Sequence, residues 1–239
     1  MTSMTRNELT ARKLLIQQWN NIQPQLQRLN MPAIRPADAE GLFKLITHSK
    51  VAGQIGFEIT NVTFNVPERA NGATDIYIVA TGRIYLDETA LNPPSTLKTV
   101  SFATEVGYFR KTRRGLEHVY GAHYDFALDE IGHPVFHAQL KSYNERGQEV
   151  SETFQLGCES TDCVGGVLRT VRLPTAQMDF FALIVQICAD HLLSKDSGDE
   201  ERRAFADLRK VSQDIQGAGY LAARLTNTAG CMRAPHWYP

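Results

Sequence analysis

The chain is short of most features that announce a function. Among its 239 residues there are four cysteines, too few and too scattered for the disulfide framework of a small secreted domain. No apolar run reaches the roughly 18 residues that span a bilayer. The longest, Met178–Leu193, is broken by Asp179, Gln186, Asp190 and His191. Neither sign of charge prevails: 25 basic against 26 acidic residues leave a formal charge of −1. That balance gives no global attraction to nucleic acid or to an anionic membrane. Glycine-rich phosphate loops, nucleophile elbows and dinucleotide fingerprints are absent. So are internal repeats and low-complexity tracts. The opening MTSMTRNELTARKLL has no apolar core or small-residue cleavage site of a secretory signal, and a cytoplasmic, reduced protein is expected.

What is present is ordinary globular material, 43% hydrophobic and 21% charged, enough for one domain with a substantial core. Thr5-x-x-Glu8 fits a capping box. The helix it opens carries Leu15, Trp19, Ile22, Leu26 and Leu29 as one stripe, and Pro24 predicts a kink or break near Ile22-Gln23. A short helix is expected from Pro36 to Thr47.

Segments 57–66, 74–86 and 98–110 are rich in β-branched and aromatic residues and read as strands. Asn71-Gly72 marks a turn between the first two. Residues 116–143 read as two strands around Ile131-Gly132, and Glu149 to Leu156 as a further strand after a turn at 144–147. Val167 to Leu173 adds a short one. Pro174-Thr175 opens an apolar helix to Leu193, and Ser197-x-x-Glu200 caps an amphipathic helix with Phe205, Leu208, Val211 and Ile215 on one side. Gly217-Ala218-Gly219 ends it, and Tyr220 to Leu225 forms one more short helix. The expectation is a single α+β domain: helices in 1–50, an antiparallel meander of about six strands in 55–173, helices in 174–226 and a tail in 227–239.

Residues 116–143 hold the best candidate site. The even positions Leu116, His118, Tyr120, Ala122, Tyr124, Phe126 and Leu128, continued by Phe136, Ala138 and Leu140, form a mostly apolar face. The odd positions gather His123, Asp125, His137, Gln139 and Lys141 on the opposite, polar face. Two histidines and a carboxylate converging from paired strands match a non-haem iron facial triad and suit zinc equally, with His133 in the loop able to join. Polar residues on an open sheet face also arise without any site, as cross-strand hydrogen bonds.

Asp125, followed after a loop by Gln139-Leu140-Lys141, resembles the metal-binding hairpin of the PD-(D/E)xK nucleases, over this hairpin alone. The resemblance implies a divalent ion held by Asp125 and Gln139, with Lys141 beside the attacking water. Gln139 replaces the usual acid, and a following strand would replace the usual helix.

Arg110, Lys111, Arg113 and Arg114 crowd one turn beside Tyr108 and Phe109. Phosphate contact with base stacking, or a merely solvated tip, would account for them. Cys158 and Cys163 with Cys231 and His236 would make a zinc site only at loose spacing. Cys188 reads as a core thiol, and Asp190-His191 as a polar pair at a helix edge.

The expected function is a non-catalytic binding or assembly protein that offers its sheet face or N-terminal helix to a partner, most simply a protein. The alternative is a metal-dependent enzyme, an oxygenase or a phosphodiester hydrolase, using iron, zinc, manganese or magnesium at His123, Asp125 and His137. Gln139 and Lys141 would assist catalysis there.

Overall fold

Thr5 and Glu8 do cap the first helix, α1 (Arg6–Arg28). The Glu8 amide donates to Thr5 Oγ1 at 3.3 Å, and the Thr5 amide to Glu8 Oε2 at 2.7 Å. Pro24 lies inside the helix without ending it. The proline removes one backbone bond, but Trp19, Ile22 and Leu26 on either side of it are buried and hold the helix to the core. The structure, a computed structural model, describes residues 4–31, 33–35, 39–48, 51–67, 75–126, 134–142, 144–159 and 171–215.

Among the described residues nine strands follow in one sheet: β1 (Ala33–Arg35), β2 (Phe43–Leu45), β3 (Gln54–Pro67), β4 (Asp75–Asp87), β5 (Thr99–Thr112), β6 (Gly115–Phe126), β7 (Phe136–Lys141), β8 (Cys158–Glu159) and β9 (Arg172–Pro174). The main path is β1-β3-β4-β5-β6-β7-β9, antiparallel throughout, with β2 also on β3 and β8 parallel to β6. The expected meander is therefore present, with seven strands in its path. Helices α3 (Phe180–His191) and α4 (Asp199–Gln213) follow it.

One hydrophobic cluster joins α1, the inner sheet face, α3 and α4. It contains Trp19, Phe57, Phe64, Ile78, Ile84, Val106, Phe180, Ile184 and Leu208. Helices from both ends of the chain thus cover the same face, as the apolar periodicity requires. The stripe of α1 is wholly buried in this way. Cys188 is in this core, and burial pushes its thiol pKa up to about 12. No described helix is long and apolar enough to cross a membrane.

Three expected elements differ. Phe43–Leu45 is a strand where a helix was expected. Leu42, Phe43 and Ile46 have helical spacing, yet the edge of β3 takes their backbone groups: the Thr60 amide donates to Leu42 O and the Ile46 amide to Gly56 O, both at 2.9 Å. Residues 144–154 form α2 (Asn144–Phe154) rather than a turn and a strand. Its Val150 and Phe154, four apart, pack with Tyr77, Val79, Phe109 and Leu116 on the outer sheet face. The third concerns capping: α3 starts at Phe180, where Asp179 Oδ1 accepts from the Phe181 and Ala182 amides, and α4 is preceded by Gly198 rather than Ser197. Asn71-Gly72, Ile131-Gly132, Gly217 to Gly219 and Tyr220 to Leu225 lie outside the described residues.

Two of the three register shifts in the sheet decide which side chains face outward around the polar face. In β3 the register shifts between Ile59 and Val62, so Thr60 and Asn61 occupy the place of one residue. Between β5 and β6 the pairing steps from Tyr108↔Tyr120 to Phe109↔His118, leaving Val119 as the extra residue. An inserted residue moves everything beyond it to the other face. Leu116 and His118 consequently pack on the outer face, beside Phe109, and not with Tyr120, Ala122 and Tyr124.

Gly82 sets the spacing of β4 and β5. A Cβ there would lie 2.3 Å from the carbonyl oxygen of Ala103, a backbone atom with little freedom to move. Gly82→Ala is expected to cost about 2–3 kcal/mol, the upper part of the overpacking range. Chemical denaturation checks this, and a loss below about 0.5 kcal/mol would show that the strands separate freely.

Candidate functional site: the polar outer face of β5 to β7

The pairing of β6 with β7 brings together the residues that alternation assigned to one face. Asp125 is opposite His137, His123 opposite Gln139, and Gly121 opposite Lys141. On the other side, Glu105 of β5 is opposite His123. His123 Nε2 is 3.0 Å from Asp125 Oδ2, and His137 Nδ1 is 2.7 Å from Asp125 Oδ1. The second is an ion-pair approach rather than an aligned hydrogen bond. His137 is only 1% exposed. Across the other flank, His123 Nδ1 is 3.8 Å from Glu105 Oε1.

Helix α2 extends this cluster. Arg146, in its first turn, donates through Nη1 to Asn61 Oδ1 at 2.9 Å and to Glu149 Oε1 at 3.2 Å. Its Nη2 reaches Glu105 Oε2 at 3.5 Å. Asn61, placed outward by the β3 bulge, also donates to the Glu149 carboxylate. A chain of charged and polar groups therefore runs from His137 through Asp125, His123, Glu105 and Arg146 to Glu149. It ties β3, β5, β6, β7 and α2 together. Asn61, Glu105, Arg146 and Glu149 were not foreseen from the sequence. They come from separated segments, and only the bulge and the unexpected helix bring them to this face.

Electrostatics follow from the contacts. Burial works against the Asp125 carboxylate, but the two imidazoles outweigh it and hold its pKa well below the ordinary 3.8. Burial likewise opposes the His123 cation, yet Asp125 and Glu105 raise its pKa above 6.5. The neighbouring His123 ring lowers the pKa of Glu105, against burial and with help from Arg146. The two flanking carboxylates thus favour the cationic form of His123.

The metal expectation meets a geometric obstacle. The Asp125 carboxylate stands between the two rings, one oxygen toward each, where an ion would need to sit. Among the described residues no group of three or more His, Cys, Asp or Glu side chains is arranged to hold a metal ion. His133, Cys163, Cys231 and His236 lie outside the described residues, as does the side chain of Cys158.

In the hairpin that resembles the PD-(D/E)xK nucleases, Asp125, Gln139 and Lys141 do share a face. Asp125, however, is directly opposite His137, and Gln139 is opposite His123. The chain continues from β7 into α2, a helix where a strand was expected.

The basic turn is elsewhere. Residues 113–114 close the β5–β6 hairpin, with the Arg114 amide donating to Thr112 Oγ1. From Gly115 to His123 is eight residues along β6, about 26 Å at strand spacing. Lys111, Arg113 and Arg114 are exposed and Arg110 half-buried. Tyr108 and Phe109 are both buried, Tyr108 stacked on Tyr120 at 4.6 Å and Phe109 edge-on to His118. Neither aromatic is free to stack on a base.

Beside the network lies a recess of about 220 Å³ lined by Ile46, His48, Glu58, Thr81, Arg83, Ala103, Glu105 and Arg146, with Gly82 beneath. A larger one, about 380 Å³, sits by the start of α1 and shares only Ile46 with it. In that larger recess Thr5 and Glu8 are bonded to each other and Glu88 to Asn7. The outer-face recess is the one that adjoins the ionic network. Comparison with protein-family profiles, curated proteins and solved structures returned no match.

Proposed function

We propose that the protein is a non-catalytic binding protein that receives its ligand on the polar outer face formed by β4 to β7. The supporting observation is the network from His137 to Glu149 beside the 220 Å³ recess. Its groups contact one another, and Asp125 and Glu105 on either side of His123 favour its cationic form. A general base needs a neutral ring near neutral pH. A fixed pattern of charge instead suits recognition, where complementarity sets specificity.

The test is a ¹H–¹⁵N NMR spectrum recorded before and after adding the low-molecular-weight fraction of a cell extract. Shifts grouped on Thr81, Arg83, Ala103, Glu105 and His123, with no extract component consumed, are the expected result. Shifts grouped elsewhere, no shifts, or turnover of a component would overturn the reading.

The placing of His123, Asp125 and His137 on one face of paired strands favours a second reading, a metal-dependent oxygenase or phosphodiester hydrolase. Metal content separates the two. Near-stoichiometric metal in untagged protein, lost in His123→Ala/His137→Ala, would favour the enzyme.

A further inference from the structure

The recess beside the network has an arrangement of charge that its neighbours leave unused. Glu58 and Arg83 are directly opposite across β3 and β4, both exposed. Among the described residues neither has an ion-pair or hydrogen-bond partner through its side chain. Glu105 is different: Arg146 fixes it at one oxygen, at 3.5 Å, and its other oxygen is 3.8 Å from His123, beyond hydrogen-bond reach. That carboxylate can accept more. Arg146, by contrast, already donates to Asn61, Glu149 and Glu105.

The two arginines and two glutamates of the lining sum to zero charge, with His48 at the edge and Ile46 and Ala103 as the apolar wall. A net anion would gain from Arg83 but meet Glu58 and Glu105. A net cation would meet Arg83 and Arg146. A molecule carrying both charges satisfies both ends, because an unpaired charge brought into a half-buried site is costly and a paired one is not. At about 220 Å³ the recess is at the small end for a ligand site, which suits a small metabolite.

We propose that this recess binds a small zwitterion of the free amino-acid type. Its carboxylate is received by Arg83 and its ammonium group by Glu105 and Glu58. This rests on reading the outer face as a binding surface.

Titration calorimetry with glycine, alanine, serine and glutamine tests it, beside the matching amino-acid amides, which lack the carboxylate, and N-acetyl forms, which lack the ammonium group. At least one free amino acid is expected to bind. Its affinity should fall by about tenfold or more in Arg83→Ala and in Glu105→Gln, the loss of one charge-assisted hydrogen bond. Arg83 is on the surface, so its variant folds even if Glu105→Gln does not. Binding by none of the four, equal binding of the single-charge analogues, or affinity unchanged in Arg83→Ala would each overturn the proposal. If the cell-extract fraction shifts the outer face while the amino acids do not bind, the zwitterion falls and the binding face stands. If neither gives a signal there, both fall.

Discussion

Trp19→Ala is expected to remove about 3–5 kcal/mol of folding stability, the range for deleting a fully buried large aromatic. The ring is 0% exposed and lies 6.1 Å from that of Phe180, so it joins the first helix of the chain to the third. A cavity there is bounded by α1, α3 and the inner sheet face, which cannot all close in at once. The indole Nε1 is buried with no hydrogen-bond partner. Trp19→Phe therefore discards a donor that was unsatisfied and should lose less than half as much. Urea unfolding followed by circular dichroism measures both. A Trp19→Ala loss under about 1 kcal/mol would mean that α1 docks without using its stripe.

The second large effect is pH-dependent and belongs to the outer face. Asp125→Ala at pH 6 is expected to cost about 2 kcal/mol. This is below the range for breaking a fully buried pair, because 30% of the Asp125 side chain is exposed. The variant leaves two imidazoles close together without the carboxylate between them.

The parent protein carries the same information in its pH profile. Asp125 has a lowered folded pKa, so its contribution is complete above the ordinary 3.8 and is lost as pH falls through the lower folded value. His123 has a raised folded pKa, so its contribution is complete below 6.5 and is lost as pH rises through the higher folded value. Stability from this pair is therefore greatest between those limits and declines on both sides. In His123→Gln the alkaline decline should flatten, while the acid one shrinks but persists through His137. Melting temperatures across the pH range check the asymmetry, and an unchanged alkaline slope would remove His123 from the account.

The legible part of the site was its period. With side chains alternating along a strand, His123 and Asp125 had to share a face. The pairing of β6 with β7 then brought His137, Gln139 and Lys141 to it from the neighbouring strand. Illegible were the bulges, such as the one in β6, since a single extra residue leaves no compositional mark yet sends Leu116 and His118 to the opposite side. Helix α2 was hidden for a related reason. Val150 and Phe154 carry its helical spacing, but 11 residues make a marginal helix alone, and packing on Tyr77 and Phe109 decides its form.

By itself the sequence determined the α+β class, the capped first helix, the meander and the paired polar side chains of β6 and β7. Each rests on local geometry: caps on a few backbone donors, helices on a 3.6-residue stripe, strands on alternation. Only the tertiary structure decided that Arg146, Asn61 and Glu105 meet that pair, that Phe43–Leu45 is a strand, and that a recess opens beside the network. Those outcomes depend on contacts between residues far apart in the chain, such as the 85 positions separating Asn61 from Arg146, where no local preference reaches.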